Sequence, residues 1–194
     1  MKKTILLVTL GLLLVSSYLA AQPKPFIGYD KVAWGASVAD VRKAYSIDEN
    51  IAVVQADPKD PNLVYLIQEN ISDSISERTF YFNGNKLYRV VIEYKDGSDA
   101  TKNQLKTILE QRYGTTTSLD VQSGRGPKMT SWGIPVFNVP YNDTINILGK
   151  FSPEIEVQLI QRMYSFSSGY EPEIFVYYTW KKFRDEYQAS KLGL

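Results

Sequence analysis

The sequence predicts an α+β fold, with helices packed on antiparallel meander sheet. Three observations predict it. Strand-like runs flank Asn83-Gly84-Asn85, which is a hairpin signal. Segments following Ser37 and Ser98 carry apolar residues at helical spacing. The element order is helix, about three strands, helix, three or four strands, short helix. It lacks the strict strand–helix alternation of a parallel sheet.

The elements follow in order. Residues 22–33 contain Pro23, Pro25 and Gly28 and read as a leader. A short helix then starts at Ser37, an N-cap residue, with Asp40 at the third helical position beside the positive end of the dipole. Val38, Val41 and Tyr45 share one face of it. Asn50 to Asn62, with Pro58 and Pro61, reads as a loop. Leu63–Gln68, Ile75–Phe82 and Leu87–Tyr94 read as strands. Phe80 and Phe82 are expected to share a face with Tyr88, Val90, Ile92 and Tyr94. Paired residues share a face, so a two-residue turn would separate the two sets, and a three-residue loop with a glycine bulge is expected instead.

Ser98 opens the second helix, with Leu105, Ile108, Leu109 and Tyr113 as its stripe and Gly114 as its stop. Residues 114–143 are less regular, with an edge strand expected over Lys128–Trp132. Thr144–Phe151 alternates through Ile145 and Ile147, and Ile155–Phe166 through Ile155, Val157, Leu159 and Met163. Ile174–Trp180 has Ile174, Val176, Tyr178 and Trp180 on one face. Ser167 to Pro172 reads as the loop joining the last two strands. Phe183 and Tyr187 suggest a final short helix. The expected organisation is one domain over 22–194. It can also be read as two tandem helix-then-strands lobes, 28–96 and 97–194.

The first 21 residues have the layout of a secretory signal. Lys2 and Lys3 precede an apolar run from Ile5 to Val15, and small residues lead to Ala21. The run is shorter than the ~20 residues a membrane span needs. The expected destination is the periplasm or the cell exterior. Gln22 stands where a bacterial lipoprotein would carry its lipidated Cys, so no membrane anchor is expected after cleavage. The net charge of +1 comes from the leader: without its two lysines, 20 bases face 21 acids. Such a balance argues against nucleic acid as a partner.

The 194-residue chain has no Cys and no His. Zinc, copper and iron–sulfur sites built on thiolate or imidazole are excluded, as are disulfides and Ser–His–Asp or Cys–His nucleophiles. No G-x-S-x-G occurs, and no Ser stands three residues before a Lys. Asp96-Gly97-Ser98-Asp99 lacks the ligand alternation of a calcium loop, and Gly124-Arg125-Gly126-Pro127-Lys128 lacks the spacing of a phosphate loop. No enzyme activity, cofactor or metal is expected.

Trp34-Gly35-Ala36-Ser37-Val38-Ala39-Asp40-Val41 resembles the G-x-[ST]-x-x-x-V opening of small extracytoplasmic helix-plus-sheet modules, through Gly35, Ser37 and Val41. Those modules include the BamE outer-membrane-assembly lipoproteins and the β-lactamase inhibitor protein family. The resemblance implies an architecture and a bias towards protein binding, and it carries over no site residue. The chain departs from both groups in having neither lipidated Cys nor disulfides.

Strand parity identifies a second sheet face bearing Tyr81, Arg89, Arg162, Tyr164, Phe175 and Tyr177. Tyr and Arg dominate the energetics of protein interfaces, so these six are the candidate binding residues. The competing expectation is that the other lobe or the final helix covers this face. The expected partner is an envelope protein. A small-molecule or lipid carrier is the alternative, and a hydrolase using paired carboxylates is a third reading.

Overall fold

A computed structural model describes residues 28–57, 60–129, 135–149, 152, 154–166 and 169–192. It is roughly α+β and mostly β, with 55% of residues in strands and 21% in helices. Strands β1 (Gly28–Tyr29) and β2 (Val32–Ala33) form a small hairpin where a leader was expected. Asp30, at φ 48°, turns the chain between them. The expected signal over residues 1–21 lies outside the described residues. Among the described residues no helix is long and apolar enough to cross a membrane.

Helix α1 (Val38–Tyr45) starts where its capping residues place it. The Ser37 hydroxyl accepts the Asp40 N–H, and the Asp40 carboxylate accepts the Ser37 N–H at 3.0 Å. This reciprocal box satisfies two donors that the helix itself cannot. Val41 and Tyr45 are buried, as the 3.6-residue spacing requires.

β3 (Val54–Asp57) and the first residues of β4 (Asp60–Glu69) stand in place of the expected loop, and the rest of β4 is the strand expected over Leu63–Gln68; β5 (Ile75–Asn83) and β6 (Lys86–Tyr94) follow. β3 lies at the sheet edge and pairs only with β4, so it needs no alternating apolar pattern to persist.

The β5–β6 turn corrects one expectation and preserves the argument behind it. Asn83 pairs with Lys86, so the loop has two residues, Gly84 at φ 51° and Asn85 at φ 64°. Both central residues at positive φ make a type I′ turn. The odd residue that parity demanded is inside β6. Phe82 pairs with Leu87 and Tyr81 with Arg89, leaving Tyr88 as a bulge. Phe80 therefore faces Val90 on the buried side, and Leu87 takes the place expected for Tyr88. Leu87 also bonds outside the sheet: its N–H donates to the Ala36 carbonyl and its carbonyl accepts the Gly35 N–H, both at 2.9 Å. The bulge thus lets the segment before α1 clasp the strand.

Helix α2 (Asp99–Tyr113) is capped by the Ser98 hydroxyl accepting the Thr101 N–H. Leu109 is buried, and Leu105 and Tyr113 pack beside it. Ile108 is 49% exposed and does not belong to the packed stripe. The apolar contact runs along the i, i+4, i+8 column of Leu105, Leu109 and Tyr113. Gln161, itself buried, ties the start of this helix to the sheet. Its amide donates to the Gly97 carbonyl at 3.0 Å, and its oxygen accepts from Lys102 at 2.7 Å.

Four more strands follow: β7 (Ser118–Met129), β8 (Pro135–Leu148), β9 (Ile155–Phe166) and β10 (Gly169–Trp180). β7 replaces the irregular stretch, and the short edge strand expected at Lys128–Trp132 is only the end of it, with Trp132 outside the described residues. Pro172 sits inside β10 opposite Met163, not in a loop. Helix α3 (Lys181–Leu192) closes the chain.

The eight longer strands form one antiparallel sheet in the order β3-β4-β5-β6-β10-β9-β8-β7. A helix followed by four strands occurs twice, and the last strand of each set, β6 and β10, pair at the centre. Val41, Tyr45 and Leu109 pack on one face against Leu66, Phe80, Phe82, Val90, Val157 and Val176.

One close approach controls how α2 meets the sheet. A Cβ at Gly97 would lie 2.1 Å from the Pro172 carbonyl oxygen, and neither backbone can yield cheaply. Gly97→Ala is expected to lower stability by about 1–3 kcal/mol. Denaturant titration checks this, and a midpoint equal to that of the parent would show that the two backbones separate freely.

Candidate binding face

The sheet has a second face, opposite the core. Register assigns it without ambiguity, because directly paired residues share a face. Tyr81 pairs with Arg89 and Arg89 with Thr179. Tyr177 pairs with Val91, and Phe175 lies between Glu93 and Ile160. Arg162 pairs with Asp143, and Tyr164 with Tyr141. All six residues singled out from the sequence therefore occupy this face. The helix residues of the core cluster all pack on the other one. Arg184 of α3 reaches Glu156 at one end, at 3.1 Å.

The six form two neighbouring groups. In the first, Arg89 Nε donates to Thr179 Oγ1 at 3.2 Å, and its guanidinium lies 6.0 Å from the Tyr177 ring. Tyr81 stacks obliquely on Tyr65 at 5.7 Å. In the second, Arg162 holds the Asp143 carboxylate with two bonds of 2.7 Å, one from Nε and one from Nη2. Its guanidinium stands 4.2 Å from the Tyr141 ring centre, 5.9 Å from Tyr164 and 5.8 Å from Phe175. Phe175 and Tyr177 meet edge-on at 6.3 Å and join the groups. Tyr164 is buried, and the other five are half-buried. Planar arginine forks over aromatic rings fix the side chains before any partner arrives, which lowers the entropy lost on binding.

The electrostatics are uneven. Asp143 raises the Arg162 pKa, chiefly through their hydrogen bonds, so this cation is permanent. Burial pushes Tyr81 up to about 12, with the nearby Tyr177 adding to the shift, and burial raises Tyr177 too. At one end of the face Glu69, Glu77 and Glu93 stand opposite one another across three strands. Glu171 and Glu173 continue the acidic border on β10. Like charges directly opposite in a ladder cost stability, roughly 0.2–1 kcal/mol per pair.

The tyrosine shifts make a measurable prediction. Tyr81 and Tyr113 are both raised from about 10 to about 12 by burial. The folded chain then holds these protons more tightly than the unfolded chain. Their stabilisation is complete below about pH 10 and declines as pH rises towards the folded value. Tyrosinate absorbance is expected to lag behind that of free tyrosine until unfolding releases it. Full ionisation at the free-tyrosine pH in a folded chain would contradict the burial.

Asp143 and Tyr141 were not legible as site residues. Asp143 was read as the end of an irregular stretch, although it is in phase with Ile145 and Ile147. Those two isoleucines in turn face this side of the sheet and not the helix core, where β8 places Leu148. The phase of an acid with two isoleucines was the available signal. Met163 lies on the helix side as expected, paired with Asn142. Among the described residues, no group of three or more acidic side chains is placed to hold a metal ion. Comparisons with protein-family models, curated proteins and solved structures gave no match.

Proposed function

We propose that the chain is an exported, non-enzymatic module that binds another protein through the second sheet face. The observation that carries the reading is the gathering of Tyr81, Arg89, Arg162, Tyr164, Phe175 and Tyr177 into one connected layer, with the core's helices on the other side. The secretory layout of residues 1–21 and the likeness of Gly35, Ser37 and Val41 to extracytoplasmic protein-binding modules support it. The partner is an envelope or secreted protein whose contact surface carries basic residues beside apolar ones. The acidic border of Glu69, Glu77, Glu93, Glu171 and Glu173 complements the bases, and the aromatic centre receives the apolar side chains.

The test is recovery of a partner from envelope extract by the purified chain, with Tyr81→Ala, Arg89→Ala and Tyr177→Ala compared with the parent. Each variant is expected to retain the parent circular dichroism spectrum and to weaken recovery about tenfold. Recovery is also expected to fall with added salt, and to do so less for Glu77→Gln/Glu93→Gln. Unaltered recovery by all three alanine variants would remove this face from the account.

A further inference from the structure

At the other side of the sheet a separate cleft of about 310 Å³ lies between the β1–β2 turn and the last turn of α2. It is lined by Tyr29, Asp30, Arg78, Arg112, Tyr113 and Tyr178. We propose that it is a binding site for a small oxyanion, a carboxylate or phosphate group, gripped by Arg78 and Arg112.

Arg78 is the centre of the argument. It occupies a β5 position in phase with Phe80 and Phe82 on the core side of the sheet, between Gln68 of β4 and Ile92 of β6. A cation there is expensive unless something engages it. Rings engage part of it: the guanidinium lies 4.7 Å from the Tyr45 ring centre and 5.9 Å from that of Tyr29. Nη1 makes a long hydrogen bond to Gln68 Oε1 at 3.4 Å, and the guanidinium also interacts with the Tyr29 hydroxyl. Nε is buried with no hydrogen-bond partner among the described residues. Buried donors in native proteins are almost always satisfied, so an orphan beside a cleft points to an absent acceptor. The Nε–Nη edge of arginine matches two oxygens of one carboxylate or phosphate.

The rest of the lining fits the same ligand. Asp30, on the same lining, accepts from the Tyr45 hydroxyl at 3.3 Å. The lining itself carries two arginines and one aspartate. Arg112 also offsets the partial negative charge of the α2 C terminus. Tyr29, Tyr113 and Tyr178 pack on one another, with ring centres 5.0 and 6.0 Å from Tyr178, and so form a rigid wall. Burial raises the pKa of all three, so their hydroxyls remain protonated donors. The sequence carried one signal for this site, a single charge in phase with two phenylalanines.

The experiment titrates the full chain with inorganic phosphate and, separately, with acetate, at constant ionic strength, following amide chemical shifts. Saturable shifts are expected at residues 29–30, 78 and 112–113. Saturation by phosphate alone assigns the site to phosphoryl groups, and saturation by acetate alone or by both assigns it to carboxylates or to oxyanions generally. Arg78→Lys is expected to weaken binding about tenfold, because a lysine cannot present the two-donor edge. Arg112→Ala, at an exposed helix position, keeps the fold and is expected to weaken binding severalfold. Failure of both anions to saturate in the parent, or equal binding by a folded Arg112→Ala and Arg78→Lys, would overturn the proposal. The sheet-face reading is unaffected by either result, because none of these residues lies on that face.

Discussion

Asp143→Ala is expected to destabilise the fold by about 3–5 kcal/mol, the usual cost of removing one partner from a buried ion pair. Asp143 is 4% exposed, and both of its oxygens accept from Arg162. Without the carboxylate, a guanidinium whose side chain is 24% exposed remains among Tyr141, Tyr164 and Phe175 with its strongest acceptor gone. The loss therefore reflects an uncompensated charge more than the intrinsic worth of the pair. Two comparisons separate these contributions. Asp143→Asn keeps an acceptor and should lose less. Asp143→Ala combined with Arg162→Met removes both charges, and should recover a large part of the loss. Urea unfolding measures all three. A single alanine variant within about 1 kcal/mol of the parent would place the pair in the exposed class.

Phe80→Ala is expected to cost about 3–5 kcal/mol, through lost burial and the cavity left behind. Phe80 has no exposed surface and sits 4.9 Å, ring to ring, from Tyr45 of α1. It joins the first helix to the sheet, so collapse around the deletion is limited. The fitting control is Ile108→Ala on α2, which should change stability by no more than about 0.5 kcal/mol. From the sequence alone both residues look like core. The structure separates them, since Ile108 is 49% exposed. Equal effects from the two substitutions would contradict the packing described.

This contrast shows where the sequence was informative. Ser37 and Asp40 marked the start of α1 because capping is local chemistry, decided by residues three apart. β9 was placed over Ile155–Phe166 with its observed bounds, because a strand buried among others must alternate. The six residues of the second sheet face followed from the same parity. Edge strands resist such reading. β7 has a single neighbour, and Leu119 and Val121 on it are 63% and 66% exposed, so no buried face disciplines its pattern. Pro172 within β10 and the Tyr88 bulge depend on partners far away in sequence. The bulge exists because Gly35 and Ala36 take both backbone bonds of Leu87, which no local pattern announces. Arg162 was found without Asp143 for a related reason: the pair forms between β8 and β9, and the start of β8 carries prolines that disguise it. Pro140 is tolerated there because the β8–β9 ladder ends at Tyr141, which leaves that stretch of β8 paired only with β7.

The central claim is that partner binding uses the sheet face opposite α1 and α2. Photo-cross-linking from two positions tests it most directly. A photoreactive phenylalanine analogue is placed at Tyr65, beside Tyr81 on the proposed face, or at Gln104, on the exposed side of α2. The account predicts one defined adduct from position 65, absent from position 104, and diminished when Tyr177 is changed to alanine. The same adduct from position 104, with none from position 65, would contradict it.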